Sequence, residues 1–166
     1  DDKTVFTMNG GELSHNVGGS VAGVINVMGS HPVEVNLLGG AFVNNSMSTT
    51  GANLACISAT NDGSTVVLGG VKFAGNTNKN GETINALTLS THNVTLIPTE
   101  DTDFQDPIYI NNAYGSSKDV AIRVPEGLTK LKGKLPILLA KEFVGAATIS
   151  GGTGEGAYAL QPSDME

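Results

Sequence analysis

Tryptophan is absent from this chain, cysteine occurs once, and charged side chains make up only 15% of its 166 residues. Each scarcity excludes something. A single cysteine can form neither an intrachain disulfide nor a cysteine-based zinc cluster. Its context, NLACISAT, is apolar, so Cys56 is expected to be a buried, inert thiol rather than a nucleophile. Nine basic residues against sixteen acidic ones leave a net charge of −7. A nucleic acid or an anionic membrane needs a basic footprint, so this balance argues against either as a partner. No apolar run approaches the ~20 residues of a membrane-spanning helix, so no membrane insertion is expected. No helical periodicity persists over a useful length between residues 1 and 115.

Glycine, with 22 residues, asparagine, with 15, and threonine, with 16, are plentiful. Turn formers combined with β-branched residues predict many short strands joined by tight turns. The strands repeat. FTMNGGELSHN (6–16) aligns with VNLLGGAFVNN (35–45) and VVLGGVKFAGN (66–76), at offsets of 29 and 31 residues. Each copy opens on an apolar residue (Phe6, Val35, Val66) and places a second on the same strand face (Met8, Leu37, Leu68). A glycine follows (Gly10, Gly39, Gly70), then a large apolar residue (Leu13, Phe42, Phe73), and an asparagine closes the unit (Asn16, Asn45, Asn76). A looser fourth copy begins at Val94 and Leu96, 28 residues on. Shorter apolar runs, VAGVINVMG, NLACISAT and INALTLST, recur once per copy between these units.

A period near 30 with about three strands per copy predicts a parallel β-helix, an all-β solenoid of 4–6 coils. Each strand pairs in parallel with its equivalent one coil away, and inward residues stack coil upon coil. The odd spacing from Met8 to Leu13 requires a corner at the glycines, where a missing Cβ permits the conformation. Gly10, Gly39 and Gly70 are therefore expected to stack along one corner. Asn16, Asn45 and Asn76 are expected to form a ladder at another, since asparagine tolerates the left-handed region and its amide can bridge coils. A β-sandwich of hairpins is the competing fold; it would need strict alternation, whereas several runs here are almost continuously apolar.

The whole chain, 1–166, reads as one domain: repeats over 1–97, an acidic excursion and strand over 98–114, and last coils with a C-terminal cap over 115–166. Lys130, Lys132 and Lys134 alternate with Leu131 and Leu135, which predicts an edge strand guarded by lysines. The N-terminus has no comparable cap, as expected if another part of a larger protein precedes it.

FTMNGGELSHN closely resembles the FTMNGGTISGN-type repeats of large Gram-positive bacterial cell-surface proteins. DVAIRVPEGLTKLKGKLPILLA is similar to the segment that often ends such blocks, and GGAFVNN resembles the passenger repeats of chlamydial polymorphic outer-membrane proteins. The resemblance covers residues 4–97 well and 98–140 loosely. It implies a right-handed, pectate-lyase-like parallel β-helix at a bacterial cell surface or outside the cell, and it does not specify a ligand.

The motifs carry little chemistry. The double glycines lack the Lys-Ser/Thr and following helix of a phosphate loop. His15, His31 and His92 are scattered and read as solvated corners, and no nucleophile elbow or zinc motif is present. Glu100, Asp101, Asp103 and Asp106 form the densest acidic group. Without the glycine and closing glutamate of a calcium loop, they read first as a solvated loop and second as a weak calcium site at Asp101, Asp103 and Asp106. With three phenylalanines assigned to the core, Tyr114 is the best exposed candidate for a sugar surface, and it reads first as a loop-anchoring tyrosine.

The reading that follows is a non-catalytic surface or adhesin module without catalytic, cofactor or metal residues. Its expected partners are a host or matrix protein or glycan, or another domain of the same surface protein. One alternative is a polysaccharide lyase or hydrolase using Asp101–Asp106 with Arg123 or Lys118. The other is an assembly module of a larger extracellular complex.

Overall fold

The longest repeats, rich in β-branched and aromatic residues and free of internal proline, form the two longest strands, β1 (Thr4–Ser14) and β4 (Val33–Val43). The structure, a computed structural model, describes residues 4–20, 22–59, 61–90, 94–111, 120–123, 125, 127–128, 130–133, 135–139 and 147–150. Between and after β1 and β4 lie β2 (Val17–Gly18), β3 (Ala22–Val27), β5 (Ser46–Met47), β6 (Ala55–Ala59), β7 (Thr65–Leu68) and β8 (Lys72–Ala74). The chain continues through β9 (Asn85–Ser90), β10 (Val94–Pro98), β11 (Ile108–Asn111), β12 (Val120–Arg123), β13 (Ile137–Leu139) and β14 (Ala147–Ser150). No described residue is helical.

Consecutive strands do not pair; equivalents about one period apart do. One sheet runs β1-β4-β7-β10-β12-β14 with β8 also on β4, a second runs β13-β11-β9-β6-β3, and a third joins β2 to β5. Every pairing between these strands is parallel. Hairpin-linked strands must run antiparallel, so the sandwich is excluded. The molecule is a β-solenoid of about four turns.

The register generates columns of like residues. Phe6 pairs with Val35, Val35 with Val66, Val66 with Leu96, and Leu96 with Ile122. Met8, Leu37, Leu68 and Pro98 form the next column. Leu13 lies on Phe42, which stacks on Phe73 with ring centroids 5.0 Å apart, and Phe104 meets Phe73 edge-on at 5.3 Å. The second sheet contributes Ile25, Ile57, Leu87, Ile108 and Ile137. Apolar area is removed from water mainly by the neighbouring coil, so burial depends on a coil above and below. Val35, Leu37, Phe42, Val66 and Leu68 are completely buried, while Phe6 and Leu13 in the first coil are half-buried.

Three details differ from the sequence reading. The fourth coil pairs Leu96 with Val66 and Pro98 with Leu68, an offset of 30 rather than 28. The two-residue slip preserves the inward face, so hydrophobic pattern alone did not distinguish the registers. Among the described residues of the lysine–leucine alternation, 130–133 and 135, none is in a strand, and the next strand begins at Ile137. Instead Lys132 and Gly133 donate backbone N–H groups to the Glu100 and Thr102 carbonyls, so this stretch follows the irregular loop beneath it. Lys134 and most of the expected C-terminal cap lie outside the described residues.

The glycine step is the third. Gly10, Gly39 and Gly70 do not occupy left-handed backbone; in the first two coils the following glycines do, Gly11 at φ 86° and Gly40 at φ 94°. β1 and β4 run through the step as continuous strands with a register irregularity between Met8 and Glu12. It re-aims the chain as a bulge does, so Leu13 and Phe42 turn inward despite their odd spacing. The third coil breaks into β7 and β8 at the same place.

Candidate functional site

The sharp corner lies one residue before each ladder asparagine. His15, Asn44 and Gly75 adopt left-handed backbone, at φ 57°, 54° and 64°. Histidine, asparagine and glycine are among the residues that tolerate this region best. At Gly75 the tolerance is also spatial, since a Cβ would lie 2.5 Å from Asn44 Oδ1.

The turn delivers Asn16, Asn45 and Asn76 into one column. Asn16 donates its backbone N–H and its Nδ2 to Asn45 Oδ1, at 3.0 and 2.9 Å. Asn45 repeats both bonds to Asn76 Oδ1, at 3.0 and 2.9 Å. In return Asn45 Nδ2 donates to the Leu13 carbonyl at 3.0 Å, and Asn76 Nδ2 to the Phe42 carbonyl at 2.9 Å. Asn45 and Asn76 are fully buried, whereas Asn16 is exposed. Buried amides must be satisfied, and here each is satisfied by the next coil. The ladder is a device for stacking, and its amides are engaged within the solenoid.

Other polar links between coils escaped the sequence reading. Ser64, fully buried, accepts the Val33 N–H at 3.0 Å, and Asn61 Nδ2 donates to the His31 carbonyl at 2.9 Å. Thr102, also fully buried, donates through Oγ1 to the Leu68 carbonyl at 2.5 Å while accepting the Thr99 N–H at 2.9 Å. Asn85 Nδ2 reaches the Leu54 carbonyl at 2.9 Å. Asn61 and Ser64 flank Asp62-Gly63 in a turn-forming run, a signal that could have found them. Thr102 is hidden among carboxylates, and nothing local marks it as the buried member.

The acidic residues do not converge. Glu100 sits 3.5 Å from Lys130, both well exposed, and Asp103 accepts a hydrogen bond from Gln105 at 2.8 Å. Asp101 is exposed, with its Cβ beside Gly70. Asp106 stands apart: it is half-buried, burial raises its pKa, and its Oδ2 is shielded with no hydrogen-bond partner. Among the described residues no group of three or more His, Cys, Asp or Glu is placed to hold a metal ion. Cys56 is fully buried, and burial, with a smaller contribution from the Asp106 charge, pushes its thiol up to about 12. It is a protonated core residue at neutral pH.

Arg123 is exposed at the end of β12, while Tyr114, Lys118 and His92 lie outside the described residues. The outward side of the first sheet presents polar and β-branched side chains. Its rows run Val5–Glu34–Thr65–Thr95 and Thr7–Asn36–Val67–Ile97. Asn36 Nδ2 bridges to Thr7 Oγ1 at 3.3 Å along the second row. On the second sheet the residues between the inward column positions, Cys56, Ser58, Ala86 and Thr88, are buried as well.

Columns of apolar residues, an asparagine ladder and period-matched parallel strands define the class: a parallel β-solenoid. No family model matches the chain, and comparison with curated proteins and with solved structures likewise gave no match.

Proposed function

We propose that this chain is a non-catalytic structural module, a stiff β-solenoid used at a bacterial cell surface or outside the cell for display and adhesion. The observation that carries this reading is the unbroken stacking from coil to coil. The core columns and the Asn16–Asn45–Asn76 ladder commit polar and apolar groups alike to holding successive coils together. A solenoid built this way resists bending, because each coil is bonded along its length to the next. It offers a repetitive lateral surface such as the Thr7–Asn36–Val67–Ile97 row. The close likeness of FTMNGGELSHN to bacterial surface repeats supports the location, and the partners to try are a matrix protein, a glycan or a neighbouring domain.

The test is a binding panel of extracellular-matrix proteins and glycans on the immobilised chain, beside a chain with Asp101, Asp103 and Asp106 changed to asparagine. Saturable binding unaffected by the triple change supports an adhesive module. Release of unsaturated products from uronic-acid polymers with calcium, lost in the triple variant, would contradict the non-catalytic reading.

A further inference from the structure

Asparagine followed by glycine occurs twice in the chain, at Asn9-Gly10 and at Asn80-Gly81. The two pairs sit in different surroundings. Asn9 belongs to β1 and pairs with Gly39 of the next coil. That approach is close, since a Cβ on Gly39 would lie 2.6 Å from the Asn9 carbonyl oxygen. Asn80 instead lies at the tip of a short excursion just beyond Asn76 of the ladder. An isolated antiparallel bridge between Thr77 and Thr83 closes the base of that excursion.

Asn78 organises the tip. Its Oδ1 accepts the Asn80 N–H at 2.9 Å and the Glu82 N–H at 3.1 Å, and its Nδ2 donates to Glu82 Oε2 at 2.6 Å. Gly81 donates its N–H to the Asn78 carbonyl at 3.0 Å and takes left-handed backbone, at φ 81°. Asn80 enters this network through its backbone N–H, and Lys79, Asn80, Gly81 and Glu82 are all exposed. A Cβ built on Gly81 would meet nothing within 4 Å. The Asn80–Gly81 link therefore stands in solvent.

We propose that Asn80 is a site of spontaneous self-modification, at which the chain converts this asparagine to aspartate or isoaspartate. The Gly81 nitrogen bonds to Asn80 Cγ, the Cγ–Nδ2 bond breaks, and the proton of that nitrogen leaves with ammonia. A succinimide ring results, and water opens it at either carbonyl; no oxidant or reductant takes part. Glycine admits the attack because no Cβ crowds its nitrogen. The step needs the Gly81–Asn78 bond released, and exposed turns open locally at little cost. At Asn9 the same ring would pull a peptide out of the β1–β4 pairing, so the sheet protects it. Either product adds a carboxylate to the turn that holds Glu82. Isoaspartate also routes the main chain through Cβ, inserting a methylene between the two N–H groups that share Asn78 Oδ1. Older copies of the protein thus carry a more acidic and loosened turn, whatever the module displays or binds.

The test ages the full chain in mildly alkaline buffer and maps both sites by mass spectrometry, with fragmentation that separates aspartate from isoaspartate. Amide loss at Asn80 is expected to outpace Asn9 roughly tenfold or more in the folded protein, because the strand costs more to open. In denatured chain the two sites should convert at similar rates. Asn78→Ala frees the clamp and should quicken loss at Asn80, while Gly81→Ala should slow it severalfold; circular dichroism checks that both variants fold. Equal loss at the two sites of the folded protein, or slower loss at Asn80, would overturn the proposal. So would a difference that persists unchanged in denatured chain, an Asn80 rate indifferent to Gly81→Ala, or one that Asn78→Ala lowers.

Discussion

Replacing Asn45 by alanine removes the central rung of the ladder. The side chain makes four hydrogen bonds: two accepted from Asn16, one donated to the Leu13 carbonyl and one donated to Asn76 Oδ1. At about 1 kcal/mol net for each, the direct loss is about 4 kcal/mol. Asn45 is fully buried, so the Asn76 amide and the Leu13 carbonyl lose partners that solvent does not readily replace. Partial relaxation of the corner offsets some of this, giving an expected loss of about 3–5 kcal/mol. Asn16→Ala provides the internal control. Asn16 is exposed, and among the described residues its side chain donates to Ser14 O and Asn45 Oδ1 alone, so about 0.5–1.5 kcal/mol should be lost. Urea unfolding followed by circular dichroism at the β-sheet minimum measures both. Equal losses at the two positions, or a loss below about 1 kcal/mol at Asn45, would refute the claim that the ladder holds the coils together.

Three further outcomes follow from particular contacts. Gly40→Ala should destabilise more than Gly11→Ala by about 1 kcal/mol or more in the same assay. Both glycines are left-handed, but a Cβ at Gly40 meets Met8 Cε at 2.6 Å and the Gly11 carbonyl at 2.8 Å, whereas Gly11 faces open space. Cys56 should resist an aromatic disulfide reagent in the folded protein and titrate as one thiol after denaturation, because burial keeps it protonated and out of reach. Asp106→Asn should stabilise the protein at pH 7 by about 0.5 kcal/mol or less, because solvent still reaches part of the half-buried carboxylate. Burial raises the folded-state pKa of Asp106, so its ionisation costs folding free energy above that pKa and ceases to do so once the group is protonated. The advantage of the variant over the parent should therefore shrink as pH falls through the carboxylate range, and an advantage constant with pH would contradict the burial argument.

The repeat made the fold legible because a solenoid writes its tertiary contacts into the sequence as equal offsets. Phe6–Val35–Val66 and Leu13–Phe42–Phe73 could be aligned by inspection, and the strand register contains both columns. The asparagine column was legible as a spacing. Its corner was not: the left-handed residue is His15, Asn44 or Gly75, three dissimilar types that share only a tolerance for one backbone region. The fourth coil was misaligned by two residues because NVTLIPTE lacks the double glycine that marks the other copies. The lysine alternation at 130–134 misled because period-two patterning also occurs where backbone bonds go to an irregular loop, as Lys132 and Gly133 do. Ser64 and Thr102 were unreadable as inter-coil links, since their partners lie 31 and 34 residues away and carry no complementary signature. The acidic group looked concentrated in sequence, yet its members point to different neighbours, which only the path of the loop decides.

The central claim is that equivalent residues of successive coils lie side by side in parallel register. Paired cysteines on the outward face, in a Cys56→Ala background, test it directly. Asn36 pairs with Val67, and Val67 with Ile97. Neighbouring parallel strands lie about 4.8 Å apart, within the Cα range of a disulfide, whereas a partner two residues out of register lies roughly 8 Å away. Under mild oxidation the Asn36→Cys/Val67→Cys and Val67→Cys/Ile97→Cys pairs should close quantitatively, and Asn36→Cys/Thr65→Cys should not. Preferential closure of the out-of-register pair, or failure of both in-register pairs in folded protein, would contradict the coil stack.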